Sequence, residues 1–221
     1  MLEEKSIQEI KDLSMYNNQY ERNTEYTFVW GRLAILLSVP RDYRQYIKIL
    51  DVGGAESRLS KVLSELGFNV TVIDIKEDDY GKAKFVRANI LEHEFEEESF
   101  DIIIAISTIE HIGLSSYGQK IQDPDGDKKC MEKIWRWLRK GGFCFITLPY
   151  GRPHHPPDFE RTYNRKMLQE RILFKPWEVL SIEYYRQSSH NPHHFVRCDE
   201  FETRYFDSVV CLFLRKPFKN P

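Results

Sequence analysis

Apolar residues in this chain fall into short continuous runs separated by stretches of helical period, the pattern of strands buried on both faces and joined by amphipathic helices. Ile47 to Val52 is the first such run, and it stops at the small-residue turn Gly53-Gly54-Ala55-Glu56-Ser57. From Arg58 to Leu66, the positions Leu59, Val62, Leu63 and Leu66 recur at helical spacing and Gly67 closes the helix. Phe68 to Asp74 reads as the second strand, Phe85 to Ile90 as the third, Phe100 to Ser107 as the fourth and Gly141 to Pro149 as the fifth. Lys128 to Arg139 is a helix whose Met131, Ile134, Trp135 and Leu138 face the sheet, with Asp125 or Asp127 as its cap. Beyond Pro149 two more strands are expected, Trp177 to Arg186 and an antiparallel partner, Ser208 to Arg215. The polar connection between them, Gln187 to Asp207, is long enough to be a candidate substrate cover. Ahead of the first strand, Ile7, Ile10 and Leu13 share one helical face, and Tyr26 to Leu37 is a second helix ending before Pro40.

The chemistry begins where the first two strands end. Glycines 53 and 54 allow a tight turn whose N–H groups face a ligand, and Asp74 follows about 20 residues later, where a carboxylate accepts hydrogen bonds from ribose hydroxyls. Asp51, beside the turn, would repel a pyrophosphate and suits a cation. A dinucleotide fingerprint needs G-x-G-x-x-G, whereas these positions hold Gly53, Ala55 and Arg58. Asp51 and the missing third glycine therefore favour S-adenosylmethionine over NAD, and an NAD-dependent oxidoreductase becomes a distant reading.

The run D-V-G-G-A-E-S from Asp51 to Ser57 resembles the first motif of the class I S-adenosylmethionine-dependent methyltransferases, an acid followed by x-G-x-G-x-G, with Ala55 and Ser57 in place of glycines. The resemblance extends over residues 47 to 150. It includes an R-K-G-G ending, Arg139 to Gly142, on the helix before the fifth strand, and S-T-I-E-H-I-G after the fourth, a feature of a small-molecule-type subgroup. It implies an α/β fold: a Rossmann-like, doubly wound, mixed seven-stranded sheet in three α/β/α layers. Residues 46–221 would form the S-adenosylmethionine-binding domain, and residues 1–45 a helical segment that lids the cofactor. Tyr16, Tyr20, Tyr26, Trp30 and Arg32 are candidates there for the pocket wall or for holding the methionyl carboxylate, with plain core packing as the alternative. The cofactor-binding set is Asp51, Gly53, Gly54, Ala55, Glu56, Ser57, Asp74, Ile75, Asn89, Ile90 and Ser107. Asn89 stands where the family usually has an acid that reads the adenine amino group, a role its carbonyl oxygen can also fill.

Methyl transfer is an in-line displacement whose driving force lies in the cofactor, so a base is needed only for a protonated acceptor. His111 and Glu110 are the candidate catalytic bases, the alternative being a capping and pocket-shaping pair. Tyr117, His154, His155 and Arg161 are candidate substrate contacts, Arg161 for an anionic group or else as one half of a salt bridge. His190, His193 and His194 lie in the long connection, where solvation explains them as well as substrate contact does. A divalent metal on Glu110, His111 and one of His154 or His155 is the disfavoured alternative, since histidines near a substrate more often bind it directly. The acids from Asp123 to Asp127 lack calcium-loop spacing, because the sixth and twelfth positions are Lys128 and Ile134.

Composition narrows the partners. The 221 residues, 41% hydrophobic and 14% aromatic, suffice for one core, and a formal charge of −2 with an isoelectric point near 6.4 gives no basic face for nucleic acid. Four cysteines without metal-like spacing point to a reducing compartment, and Cys144 and Cys211 sit inside strand patterns as small hydrophobes. No run reaches a membrane span and no apolar signal core opens the chain, so a cytoplasmic location is expected. The expected function is methyl transfer to an oxygen or nitrogen of a small polar metabolite. The alternatives are a metal-assisted methyltransferase acting on RNA or a catechol-like compound, and a non-catalytic binding protein on the same fold. Acceptor and oligomeric state are not encoded in any readable motif.

Overall fold

The computed structural model describes residues 20–55, 57–118, 122–153, 155–191 and 194–218. Helix α1 (Tyr20–Leu33) runs into a 3-10 turn, Ala34–Ser38, and a single turn, α2 (Arg41–Arg44), leads to β1 (Lys48–Val52). Helix α3 (Arg58–Glu65), β2 (Asn69–Asp74), β3 (Lys84–Arg87), β4 (Phe100–Ile106), α4 (Gly126–Trp137) and β5 (Leu138–Pro149) follow. A short turn of helix, α5 (Arg165–Met167), precedes β6 (Glu178–Gln187), β7 (Phe195–Cys198) and β8 (Ser208–Arg215). The strand order is β3-β2-β1-β4-β5-β8-β6-β7, with β3, β2, β1, β4 and β5 parallel to one another. Strand β8 runs antiparallel to both β5 and β6, and β7 antiparallel to β6.

The continuous apolar runs are explained by cover on both faces. Leu50, Val52, Ile103 and Ala105 pack with Met131, Ile134 and Trp137 of α4, while the alternate residues Ile49, Ile102 and Ile104 pack with Val29 and Leu33 of α1 and Leu59 and Leu63 of α3. This is the three-layer sandwich expected of a parallel sheet. Its crevice lies where the order reverses, between β1 and β4, at their carboxyl ends. Among the described residues no helix is long and apolar enough to cross a membrane. Cys130, Cys144 and Cys211 are buried, and burial pushes their thiols up.

Four local expectations need correcting. The sheet has eight strands among the described residues rather than seven, because Phe195–Cys198 in the polar connection pairs with Tyr184–Gln187 at the sheet edge. Arg139-Lys140-Gly141-Gly142 belongs to β5 rather than to the end of the preceding helix, since Leu138 already pairs with Phe100 and Gly141 N donates to Lys216 O. Neither Asp125 nor Asp127 caps α4 through its side chain: Asp125 holds the cap position without a capping bond, and Asp127 is taken by Arg171 and Tyr163. Finally, α1 begins at Tyr20, six residues ahead of the expected Tyr26, and its last apolar turn, Ala34–Ser38, tightens to 3-10. The helical face at Ile7, Ile10 and Leu13 lies outside the described residues.

The loop after β4 and the start of α4 meet backbone to backbone. A Cβ at Gly126 would lie 2.4 Å from Ile112 O, and one at Gly113 2.3 Å from Asp123 O. Although alanine is the better helix former, Gly126→Ala is expected to destabilise the protein by about 1–3 kcal/mol, because backbone atoms cannot yield as a flexible side chain would. Thermal unfolding of the variant checks this; an unchanged midpoint would show that the two loops can separate freely.

Candidate active site

The turn after β1 is drawn tight by its neighbours. Gly53 adopts φ +69° and donates to Ile73 O at 2.9 Å, and a Cβ there would lie 2.2 Å from Thr108 Cγ2. A Cβ on Gly54 would lie 2.7 Å from Asp51 Oδ2, so both glycines are set by close approach. The ends of β1 and β2 are tied by Asp74, whose Oδ2 accepts from Ala55 N and whose Oδ1 accepts from Lys76 N, each at 2.8 Å.

A cavity of about 650 Å³ opens at this crevice, within the range of ligand pockets. Its walls include Asp51, Gly53, Ala55, Ser57, Asp74, Ile75, Asn89, Ile90 and Ser107, nine of the eleven residues expected to bind the cofactor. Of the other two, Gly54 turns beneath the wall and Glu56 lies outside the described residues. Asn89 Oδ1 accepts from Leu91 N at 2.9 Å, so part of its acceptor capacity is spent on its own loop.

The buried carboxyl group of Asp51 accepts from Ser60 Oγ at 2.5 Å. Burial raises its pKa to about 7, helped by the charge of Asp74 and opposed by the hydrogen bond from Ser60 and by Arg22. Opposite, helix α1 docks through Glu25, which is 1% exposed and accepts from Ser107 Oγ and Thr147 Oγ1 while pairing with Arg22 at 3.2 Å. Arg22 also donates to Ile106 O at 3.1 Å, and Ser107 holds φ +41°, a left-handed conformation stabilised by its N–H contacts with Thr147.

At its other end the cavity is lined by Thr108, His111, Ile112 and Tyr117. His111 Nδ1 lies 2.8 Å from Phe159 O, and because a carbonyl only accepts, Nδ1 carries the proton and Nε2 the lone pair. Burial lowers the His111 pKa, keeping the ring neutral near pH 7. Tyr117 stacks edge-on with His111, their centroids 5.1 Å apart, from a left-handed backbone position at φ 56°. The Glu110 side chain is not in the cavity wall. It is buried, with Oε1 3.9 Å from His111 Nε2, and burial holds its pKa well above the usual carboxylate range.

Two other expected contacts, Arg161 and His155, are not brought to the cavity. Arg161 donates to backbone carbonyls beneath the loop, His155 is exposed with its ring 5.5 Å from Phe159, and His154 lies outside the described residues. Of the first-segment candidates, Tyr26 lines the cavity, whereas Trp30 joins the core and Arg32 pairs with Glu183. No described residue of the connection 187–207 lines it; Thr203 O instead accepts from Arg152 N, tying that connection to the segment after β5. Among the described residues, no group of three His, Cys, Asp or Glu converges as a metal site would require. The sequence reading missed Arg22, Lys76, Glu77, Arg87 and Thr108. Arg22 had a usable signal, since it stands four residues before Tyr26 on the same helical face.

Solved S-adenosylmethionine-dependent methyltransferases share this fold. One from Methanosarcina mazei aligns with a TM-score of 0.56 and 15% identity, over 80% of this chain and 96% of that one. The 1,6-didemethyltoxoflavin-N1-methyltransferase of Burkholderia thailandensis, solved with 1,6-didemethyltoxoflavin and S-adenosylhomocysteine, aligns at 0.55 and 15% identity, over 89% and 87%. In sequence, 77 residues are 35% identical to the ubiquinone biosynthesis O-methyltransferase of Rickettsia akari (strain Hartford), 30% of this chain and 31% of that protein. The chain thus spans about a third of the length of that curated relative. Residues 69–216 match the family described as "Caenorhabditis protein of unknown function, DUF268", and the chain belongs to that family.

The elevated Asp51 pKa has a consequence for stability. A buried acid that holds its proton more tightly folded than unfolded makes stability fall as pH rises from about 4 to about 7. Asp51→Asn removes this penalty and keeps an acceptor for Ser60, so the unliganded variant should unfold about 2–4 °C higher at pH 8 and show no gain at pH 4. Melting curves at the two pH values decide it; an equal shift at both would mean that the carboxyl charge is not the cause.

Proposed function

We propose that this protein is an S-adenosylmethionine-dependent methyltransferase that moves a methyl group to an oxygen or nitrogen of a small polar metabolite. The observation that carries the reading is the cavity at the β1/β4 switch point, framed at one end by Asp51, the Gly53–Ser57 turn and Asp74, and at the other by His111 and Tyr117. The residues suit such a cofactor. Asp74, fixed by two backbone N–H groups, is ready to accept from ribose hydroxyls. The buried Asp51 gains from a positive charge nearby, which would return it to its ionised form.

When bound, the cofactor supplies an activated methyl group, and the protein's part is alignment and proton management. His111, with its proton on Nδ1 and its lone pair therefore on Nε2, is the base for a protonated acceptor. Glu110 adjoins it, with Oε1 3.9 Å from Nε2 and a carboxyl group whose pKa burial holds well above the usual range. Tyr117, 67% exposed at the cavity mouth, is placed to cover the acceptor. Helix α1 acts as the cofactor lid, with Arg22 and Tyr26 on its inner face.

Calorimetry with S-adenosylmethionine and S-adenosylhomocysteine tests the cofactor assignment. Both should bind, with S-adenosylmethionine weakening as pH falls through about 7, where Asp51 loses its charge. Asp74→Ala should weaken both by at least about tenfold, since charge-assisted hydrogen bonds contribute roughly 1.5–3 kcal/mol. No measurable affinity of the wild type for either would sink the reading.

Once an acceptor is found by following transfer of labelled methyl, His111→Asn should lower kcat by about 10²–10⁴ while leaving S-adenosylhomocysteine affinity within about threefold. Wild-type kcat in that variant would remove His111 from catalysis. Activity that survives chelation would reject the metal-assisted alternative.

A further inference from the structure

Arg161 makes contacts that neither anion binding nor a simple salt bridge explains. Its side chain is 9% exposed, and its two terminal nitrogens serve four carbonyls on two loops: Glu110 O at 3.2 Å and Ile112 O at 2.8 Å from Nη1, Asp123 O at 3.2 Å and Pro124 O at 3.3 Å from Nη2. Both N–H groups of each terminal nitrogen are thereby engaged, and none is directed to the cavity. The charge is balanced from behind by Asp127, which is wholly buried and lies 3.7 Å from Nε. Asp127 is itself held by Arg171, at 2.7 and 2.6 Å to its two oxygens, and by Tyr163 Oη at 2.9 Å.

The backbone of this segment adds a two-point latch on the turn that carries His111. Arg161 N donates to Glu110 O at 3.1 Å, and Phe159 O accepts from His111 Nδ1 at 2.8 Å. The imidazole can keep its proton on Nδ1 only while residues 159–161 and 110–112 hold their relative positions. The guanidinium bridges those two segments, and it also fixes the loop at Asp123, whose N–H donates to Gly113 O at 2.7 Å.

We infer that Arg161, seated on Asp127, is a positioning residue for His111: by clamping the Ile109–Ile112 turn against Phe159 it selects the Nδ1–H tautomer and aims Nε2 at the acceptor. The inference rests on the reading of His111 as the base. A lysine cannot replace the group, because an ammonium is a point charge with three donors, not a planar fork that spans four carbonyls.

The test uses the full chain labelled with ¹⁵N. The imidazole nitrogens of His111 are assigned by their loss in His111→Asn and observed at pH 8, where the ring is neutral. Wild type should show the Nδ1–H tautomer. Arg161→Lys and Arg161→Gln should shift the ring to a mixture with Nε2–H, while S-adenosylhomocysteine affinity stays within about threefold, because Arg161 does not line the cavity. Circular dichroism confirms folding, and Asp127→Asn gives a second route to the same shift should Arg161→Gln fail to fold. A purely structural arginine would lower the unfolding midpoint and leave the tautomer alone, so a folded Arg161→Lys with an unchanged Nδ1–H signal overturns the inference. If wild type bound no S-adenosylhomocysteine, the functional reading would fall, while the tautomer measurement would still decide whether Arg161 positions the ring.

Discussion

Because helices cover both faces of β1, β2, β4 and β5, polar groups carried by these strands can reach a ligand only at their carboxyl ends. This constraint organises the molecule. Leu50, Ile103, Ile104 and Ile146 have no exposed surface, whereas within a few residues Asp51, Asp74 and Ser107 meet the cavity. The reversal of strand order between β1 and β4 separates the loops that follow them, and the space they leave is the site.

The site is built at some cost to stability. Asp51 and Glu110 are buried carboxyl groups whose protons are retained well above the usual range, and both sit next to cavity-lining residues. Burying an acid without a compensating charge is unfavourable unless a ligand or a proton offsets it. Glu25 shows the opposite solution. It is just as buried, but Ser107, Thr147 and Arg22 satisfy it, and it fastens α1 to the ends of β4 and β5. One carboxylate therefore docks an element, while another is left responsive to what enters the cavity.

The end of the cavity lined by His111 and Tyr117 depends on irregular backbone. The loop after β4, the segment after β5 and the start of α4 are joined by carbonyls, guanidinium groups and two close glycine contacts, with Asp127 as the buried anion at their centre. Tyr117 holds a left-handed conformation at φ 56° within this assembly, the kind of strain that surrounding contacts must maintain.

The sequence by itself determined most of the strands, the helices between them and the end of the cavity framed by Asp51 and Asp74, because strand and helix periods are local and both acids sit at strand ends whose direction the fold class fixes. It also marked His111 and Tyr117, which lie in the loop after β4. Only the tertiary structure decided the rest. Whether Arg161 faces a substrate or four carbonyls depends on Asp127 and on loops 37 to 51 residues away in sequence. The place of Arg22 in the wall depends on Ile106, 84 residues on, and the short strand Phe195–Cys198 exists only because β6 offers it an edge. Side-chain direction in loops is set by such distant partners, and no local period encodes them.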